Sequence, residues 1–344
     1  MNQKDFDREA RLAGNKVLMA RLESCWILTD GKAGDEVQCI GVAEALEVPF
    51  ELRQVRPKPP FSWLMPHGPI DPRERPSAQD SPIAPPFPDL AIASGRRAIA
   101  YLRHIKNASG GKTFTVCLKD PRTGSKAADL IWVPDHDALR GPNVLTSATA
   151  PHRYSPTLLQ QLRETPYPEL DTLGPPRIAV LVGGDSRHHT FSQDDCGRLA
   201  AGLEALATDH SASLMITTSR RTPTALAERL ARLAEAGDHF FWHGTGENPL
   251  GAILAKADGI VATADSTNMI GEAASTGKPI HVFHPTGGHK KIERFLASLN
   301  TLGIIHPFPG PLKTTTYEPQ NPTPMIADAI RTAMTADRAG ALAT

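Results

Sequence analysis

The sequence is poor in the features that mark several specialised classes of protein. It carries four cysteines in 344 residues, Cys25, Cys39, Cys117 and Cys196, with no CxxC pair and no neighbouring histidine at ligand spacing. This argues against a disulfide framework and against structural zinc, and a reducing compartment fits. Net charge is missing too. The 37 Lys and Arg balance 37 Asp and Glu, so no general positive field exists to hold a nucleic acid, and any anion site must be local. No apolar run approaches the ~18 residues that a membrane-crossing helix needs. The first twenty residues mix Lys and Arg with Asp5, Asp7 and Glu9 and lack the apolar centre of a signal peptide, so they read as a frayed amphipathic helix. The expectation is a cytoplasmic protein with no nucleic-acid partner, free to touch the inner-membrane surface from that side.

What the chain does have is alternation. Cys25 to Thr29, Leu90 to Ala93, Thr113 to Leu118, Leu130 to Val133 and Asn143 to Ser147 are short apolar runs that stop at polar turns, and helical spacing follows the first two. After the linker TPYPELDTLGPP, Thr165 to Pro176, the pattern restarts with Ile178 to Val182, Ser213 to Thr217, Phe240 to Trp242, Gly259 to Ala262 and Ile280 to Phe283. Strands alternating with helices predict an α/β protein of two doubly wound domains, each with a parallel sheet and a ligand mouth at the carboxyl edge of its strands. The domains are expected at residues 22–172 and 174–320. A terminal helix over 321–336 would return to the first domain, and the residues after Thr335 read as a loose tail. Residues 56–88 hold eleven prolines and read as a surface excursion. Within it Phe61, Trp63, Leu64 and Met65 cluster; they suit either peripheral contact with a membrane interface or packing on their own domain.

The stretch Lys256 to Phe283 reads as strand, loop, helix, strand. Ser266, Thr267 and Asn268 stand where its second helix starts, where free N–H groups favour a phosphate. Glu272 follows one turn later, where a carboxylate can accept two hydrogen bonds from a ribose diol. Plain helix capping and a solvated glutamate explain the same residues. Three other loops end strands of this half. Gly183 and Gly184 open GGDSRHH; Ser219, Arg220 and Arg221 precede a helix and suit a diphosphate; Gly244, Thr245, Gly246, Glu247 and Asn248 form a turn able to read the edge of a base. In the first half, DGKAGDE places Asp30 at a strand end, Gly31 and Gly34 in the loop, and Asp35 as a helix cap. It does not match GxGxxG, so no dinucleotide cofactor is expected.

The segments TDGKAGDEVQCIGVAEAL, LKDPR, NVLTSATAPHRYSP, VLVGGDSR, ITTSRRTP, GTGENP and ADSTNMIGEAASTGKP resemble the mitochondrial fission (elongated-mitochondria) family. Its bacterial members are also labelled predicted nucleoside-diphosphate-sugar epimerases. The likeness runs from Trp26 to Phe308 and implies a GT-B-like pair of Rossmann-type domains facing a central cleft. The second half is also similar to that of the peptidoglycan lipid N-acetylglucosaminyltransferase, which implies that Glu272 holds ribose hydroxyls and Ser266 to Asn268 a diphosphate.

The leading expectation is a metal-independent glycosyltransferase using a nucleotide sugar, with a lipid or cell-envelope acceptor. The leaving diphosphate would be held by Arg220, Arg221, the loop at Gly183 and Gly184, and the helix start at Ser266; no DxD-like pair is placed to hold a metal instead. Asp30 is the candidate general base, ahead of Asp120 and His152. Two alternatives stay open: an epimerase drawing acid–base groups from His188, His189 and His243, and a non-catalytic scaffold that recruits a membrane-division partner.

Overall fold

The computed structural model of the chain describes residues 22–342, so the helix expected in the first twenty residues lies outside the described part. Contacts divide the chain into two units, one formed by residues 22–147, 151–153 and 322–342, the other by Ala148–Ala150 and Tyr154–Asn321.

The first unit contains β1 (Cys25–Thr29), α1 (Ala33–Ala45), β2 (Phe50–Gln54), β3 (Leu90–Ala93), α2 (Ala98–Ala108), β4 (Phe114–Leu118), β5 (Leu130–Pro134) and β6 (Val144–Ser147). The strands are all parallel, in the order β2-β1-β3-β4-β5-β6. The central strands are continuous apolar runs because helices cover both faces; every residue of β1, β3 and β4 is buried. The edge strand β2, FELRQ, is charged and largely exposed, which discourages further pairing at that edge. Trp132 is fully buried, and its indole N–H donates to Ser147 Oγ at 2.8 Å, so the ring fills the core without an orphaned donor.

The proline-rich excursion is an ordered surface segment. Asp71 accepts from Lys58 N and Arg73, and Glu74 accepts from Arg56 N at 2.8 Å and from the buried Tyr101 hydroxyl. Of the four apolar residues expected to cluster at its tip, only Trp63 and Leu64 face solvent. Met65 is buried and Phe61 packs against the core, so these two belong to the first unit and not to its surface.

The second unit contains α3 (Pro156–Glu164), β7 (Arg177–Val182), α4 (Gln193–His210), β8 (Ser213–Thr218), α5 (Thr224–Ala236), β9 (Phe240–Phe241), α6 (Leu250–Lys256), β10 (Gly259–Thr263), α7 (Thr267–Ala274), β11 (Ile280–Phe283), α8 (Lys290–Thr301) and β12 (Ile305–Phe308). Its parallel sheet runs β9-β8-β7-β10-β11-β12. This is the Rossmann order, in which the chain winds outward from β7 in one direction and then in the other. His281 of β11 is fully buried; its Nδ1 lies 3.3 Å from Ile260 O and its Nε2 accepts from Lys313 N at 3.0 Å, so the neutral ring ties the loop after β12 to the sheet.

Three expectations change. The junction lies at residues 147–154, not within 165–176. The reason is α3, which packs on α6: Arg163 Nε donates to Ala255 O at 2.8 Å, and Gly251 lets Leu162 and Tyr154 approach. Asp35 is not a cap; it lies in the first turn of α1 and pairs with Lys119, while Lys32 holds the N-cap position without a side-chain capping bond. The tail expected after Thr335 is helical, because α9 runs Thr323–Leu342. Thr323 fastens α9, accepting from His152 N at 2.9 Å and donating to His152 O at 2.7 Å, and Arg331 donates to Ala45 O at the end of α1.

Candidate functional site

In an open parallel sheet, two neighbouring strands whose connections leave in opposite directions leave a crevice between their loops at the carboxyl edge. In the second unit that point falls between β7 and β10, the loops of Gly183–Gly184 and of Asp265–Thr267. A buried carboxylate organises it. The Asp265 side chain is 0% exposed, accepts from Gly184 N at 2.9 Å and from Arg221 Nη2 at 2.9 Å, and takes the Thr263 hydroxyl at 2.6 Å. The Thr263 hydroxyl in turn accepts from Gly183 N at 2.8 Å. Arg221 Nη1 donates to Gly184 O and Asp185 O at 2.7 and 2.8 Å, and Thr222 Oγ1 donates to Gly183 O. Glycine is required twice here by space alone. A Cβ on Gly183 would lie 2.1 Å from Asp265 Oδ2, and one on Gly184 2.1 Å from the backbone of Arg221.

This corrects the role expected of three residues. The N–H groups of Gly183 and Gly184 and the guanidinium of Arg221 are already bonded within the protein, so they build the wall and do not reach from it. Ser219 is likewise engaged, accepting from Arg221 N at 3.2 Å and lying 3.2 Å from Thr222 Oγ1. Asp265, Thr263 and Thr222, which sequence reasoning passed over, hold the loops together. The one sequence signal was an aspartate just past a buried strand, in ATADST.

Arg220, in the same loop as Arg221, is exposed and makes no hydrogen bond or ion pair with the described residues. Ser266 is the N-cap of α7, accepting from Met269 N at 3.5 Å, and Thr267 and Asn268 form its first turn. At Gly271 α7 lies beside Thr149 and Ala150, which a Cβ built there would meet in ordinary contact at 3.7 and 3.9 Å. Glu272 follows on the same helix. Part of its surface meets solvent, yet protein crowds the carboxyl, and burial raises it from 4.5 to about 7. No charged group among the described residues offsets that penalty. The loop after β8 and the start of α7 are separated by β7, a distance of about 10 Å at ordinary strand spacing. The Gly244–Asn248 turn follows the edge strand β9 and is exposed; Trp242 Nε1 donates to Thr245 O at 3.0 Å, and Asn248 Oδ1 accepts from Leu250 N at 3.0 Å. The turn therefore stands on the same sheet edge, two strands from β7.

The first unit has its own reversal between β1 and β3, and Asp30 stands there. Its side chain is 3% exposed; Oδ2 accepts from Lys32 Nζ at 2.8 Å, and Oδ1 is buried with no partner among the described residues. Opposite it, Gly95 holds a φ of +90°, and a Cβ there would stand 3.0 Å from Asp35 Oδ2 and 3.6 Å from Asp30 Oδ1. The site thus offers one carboxylate oxygen awaiting a donor. His152 stands elsewhere, buried under α9, and Asp120 caps its own turn by accepting from Arg122 N at 2.8 Å.

No helix among the described residues is long and apolar enough to cross a membrane. Comparison with known proteins places the chain. The Arabidopsis thaliana mitochondrial fission protein ELM1 is 28% identical over 71% of this chain, and the match spans 63% of the plant protein, less than two thirds of its length. An uncharacterised protein of Rickettsia prowazekii is 24% identical over 90% of this chain and 98% of its own. Among solved structures, MurG of Acinetobacter baumannii superposes with a TM-score of 0.45 at 13% identity, covering 92% of this chain and 94% of that one. The family model described as mitochondrial fission ELM1 matches residues 33–334. The α/β chain, with its two doubly wound parallel-sheet units, belongs to the mitochondrial fission ELM1 family.

Proposed function

We propose that the protein is a glycosyltransferase that takes a nucleotide sugar in its second unit and an acceptor of the lipid or cell-envelope type in its first. The observation that carries this reading is Glu272, a carboxyl with no partner among the described residues, raised to about 7, on the helix that starts at the strand reversal. A group left so costly in the free protein makes sense as the receiver of a ligand's donors, and a ribose diol supplies two. Arg220 would neutralise the diphosphate, helped by the open helix start at Thr267, while Asp265 and Arg221 hold the loops in place. Electrostatic stabilisation of the leaving diphosphate is the main catalytic device in this reading. Asp30, whose Oδ1 has no partner among the described residues, would take the proton of the acceptor hydroxyl.

The test is a thermal-shift screen with uridine, guanosine, thymidine and cytidine diphosphate sugars. A ligand at a hundredfold its dissociation constant should add about 2.7 kcal/mol. Arg220→Ala is expected to lose at least about 1.5 kcal/mol of binding with an unchanged melting temperature, since it is exposed and makes no hydrogen bond or ion pair with the described residues. Arg221→Ala should lower the melting temperature itself. Asp30→Asn should retain nucleotide binding and lose transfer. If no nucleotide sugar shifts the transition, the reading fails and the scaffold alternative is favoured.

One observation favours the epimerase as second reading. His189 is 4% exposed, its Nδ1 has no partner among the described residues, and it lies in the loop after β7, with burial holding the ring neutral. An epimer formed without any acceptor, and lost in His189→Gln, would select it.

A further inference from the structure

The chain is neutral overall, but two stretches of the first unit carry cations with no acid of their own. There is no acidic residue between Glu51 and Asp71, nor between Asp89 and Asp120, and these two stretches hold nine lysines and arginines. Three of the nine are paired with acids elsewhere, Arg53 with Glu51, Lys106 with Asp129 and Lys119 with Asp35. The two stretches meet at the tip of the proline-rich excursion. Arg96 Nη2 donates to Ser62 O at 3.3 Å, and Arg103 Nη2 donates to Pro66 O at 2.6 Å and to His67 O at 3.5 Å. The Ser62 carbonyl belongs to a one-turn helix, Phe61–Leu64, and the other two follow it. Its flanks are anchored: Phe61 packs on the core and Met65 is 3% exposed. Its tip is not, for Trp63 is 72% exposed and Leu64 53%.

A large indole and a leucine held outward on a fixed turn, over two guanidiniums and Lys58, call for an occupant that is apolar underneath and anionic on its surface. Two side chains are far too little for a protein partner or a second copy, since a stable interface covers about 800 Å² on each side. They are enough for interfacial insertion, which needs a small apolar wedge and nearby cations to meet the headgroups. We propose that this turn docks the protein on an anionic lipid surface, with Trp63 and Leu64 entering the interface and Lys58, Arg96 and Arg103 lying over lipid phosphates. The inference does not rest on the nucleotide-sugar reading and stands or falls separately.

The test is co-sedimentation of the full chain with phosphatidylcholine vesicles, with and without phosphatidylglycerol, together with tryptophan emission. The protein is expected to partition to the anionic vesicles with a blue shift, to leave them as salt is raised, and to ignore phosphatidylcholine alone. Trp63→Ser with Leu64→Ser should weaken partition at least about tenfold and abolish the shift at an unchanged melting temperature. Lys58→Gln should weaken it roughly fivefold. Equal partition of the double variant, salt-insensitive partition, or none at all would overturn the proposal. So would a wild-type dimer in gel filtration that the double variant disperses, because the occupant would then be a second copy.

Discussion

Glu272→Gln should make the free protein more stable and the liganded protein less so. The folded carboxyl titrates at about 7 against 4.5 ordinarily, so between those values the unfolded chain is ionised while the folded one keeps its proton. Stability contributed by this group is therefore complete below pH 4.5 and lost as pH rises through about 7. A shift of that size is worth at most about 3 kcal/mol, and about 2 kcal/mol after allowance for the solvent that reaches the side chain. The amide has no charge to bury. Calorimetry from about pH 4 to about pH 8, which brackets both values, should show wild type weakening relative to the variant up to about pH 7 and running parallel to it above. Nucleotide-sugar binding should move the other way, tightening as pH rises through about 7 in the wild type because the diol needs the carboxylate. In Glu272→Gln it should be weak and flat. Superimposable pH profiles for both proteins would show that the carboxyl carries no such penalty.

Asp265→Ala should be the most damaging single change in the second unit. It removes a fully buried carboxylate, frees Gly184 N and the Thr263 hydroxyl, and leaves the Arg221 guanidinium beside a hole. Orphaning the Gly184 N–H and the Thr263 hydroxyl costs about 1–3 kcal/mol each, while the Arg221 side chain, 44% exposed, can turn to water. Gly184→Ala attacks the same wall by crowding, since its Cβ would meet the Arg221 backbone at 2.1 Å and the backbone cannot step aside as a flexible side chain can. Gly244→Ala is the control: nothing lies within 4 Å of it and only the φ of +81° opposes the change, so the cost is about 1 kcal/mol. Urea unfolding should rank them Asp265→Ala and Gly184→Ala far below Gly244→Ala. Arg220→Ala, which leaves unfolding unchanged and affects only binding, separates wall from ligand.

The sequence displays what depends on local pattern and hides what depends on closure in space. The runs CWILT, LAIA, IAVLV and IHVF announce buried parallel strands because they are short, rich in β-branched or other apolar residues and bounded by polar turns. FELRQ and IHPF do not, since an edge strand is half solvated and Pro307 interrupts the second, so β2 and β12 went unseen. Residues 156–164 were hidden by the prolines that flank them, and with α3 went the true junction between the units. At the site, Ser266 and Glu272 are readable from the helix start. Arg220 and Arg221 are indistinguishable in sequence, yet one is exposed and the other is locked by partners 36, 37 and 44 residues away. Only the folded loops reveal that Asp265 has claimed the second arginine.

The first unit is assembled from both ends of what the structure describes, with α9 fastened to α1 and to His152. A ribosome therefore releases the whole Rossmann-ordered half before the earlier half can receive its last helix. During that interval α1, whose Ala45 carbonyl accepts from Arg331 in the finished protein, still lacks its companion helix. Cutting the gene at the junction would yield one fragment able to close on itself and one that cannot.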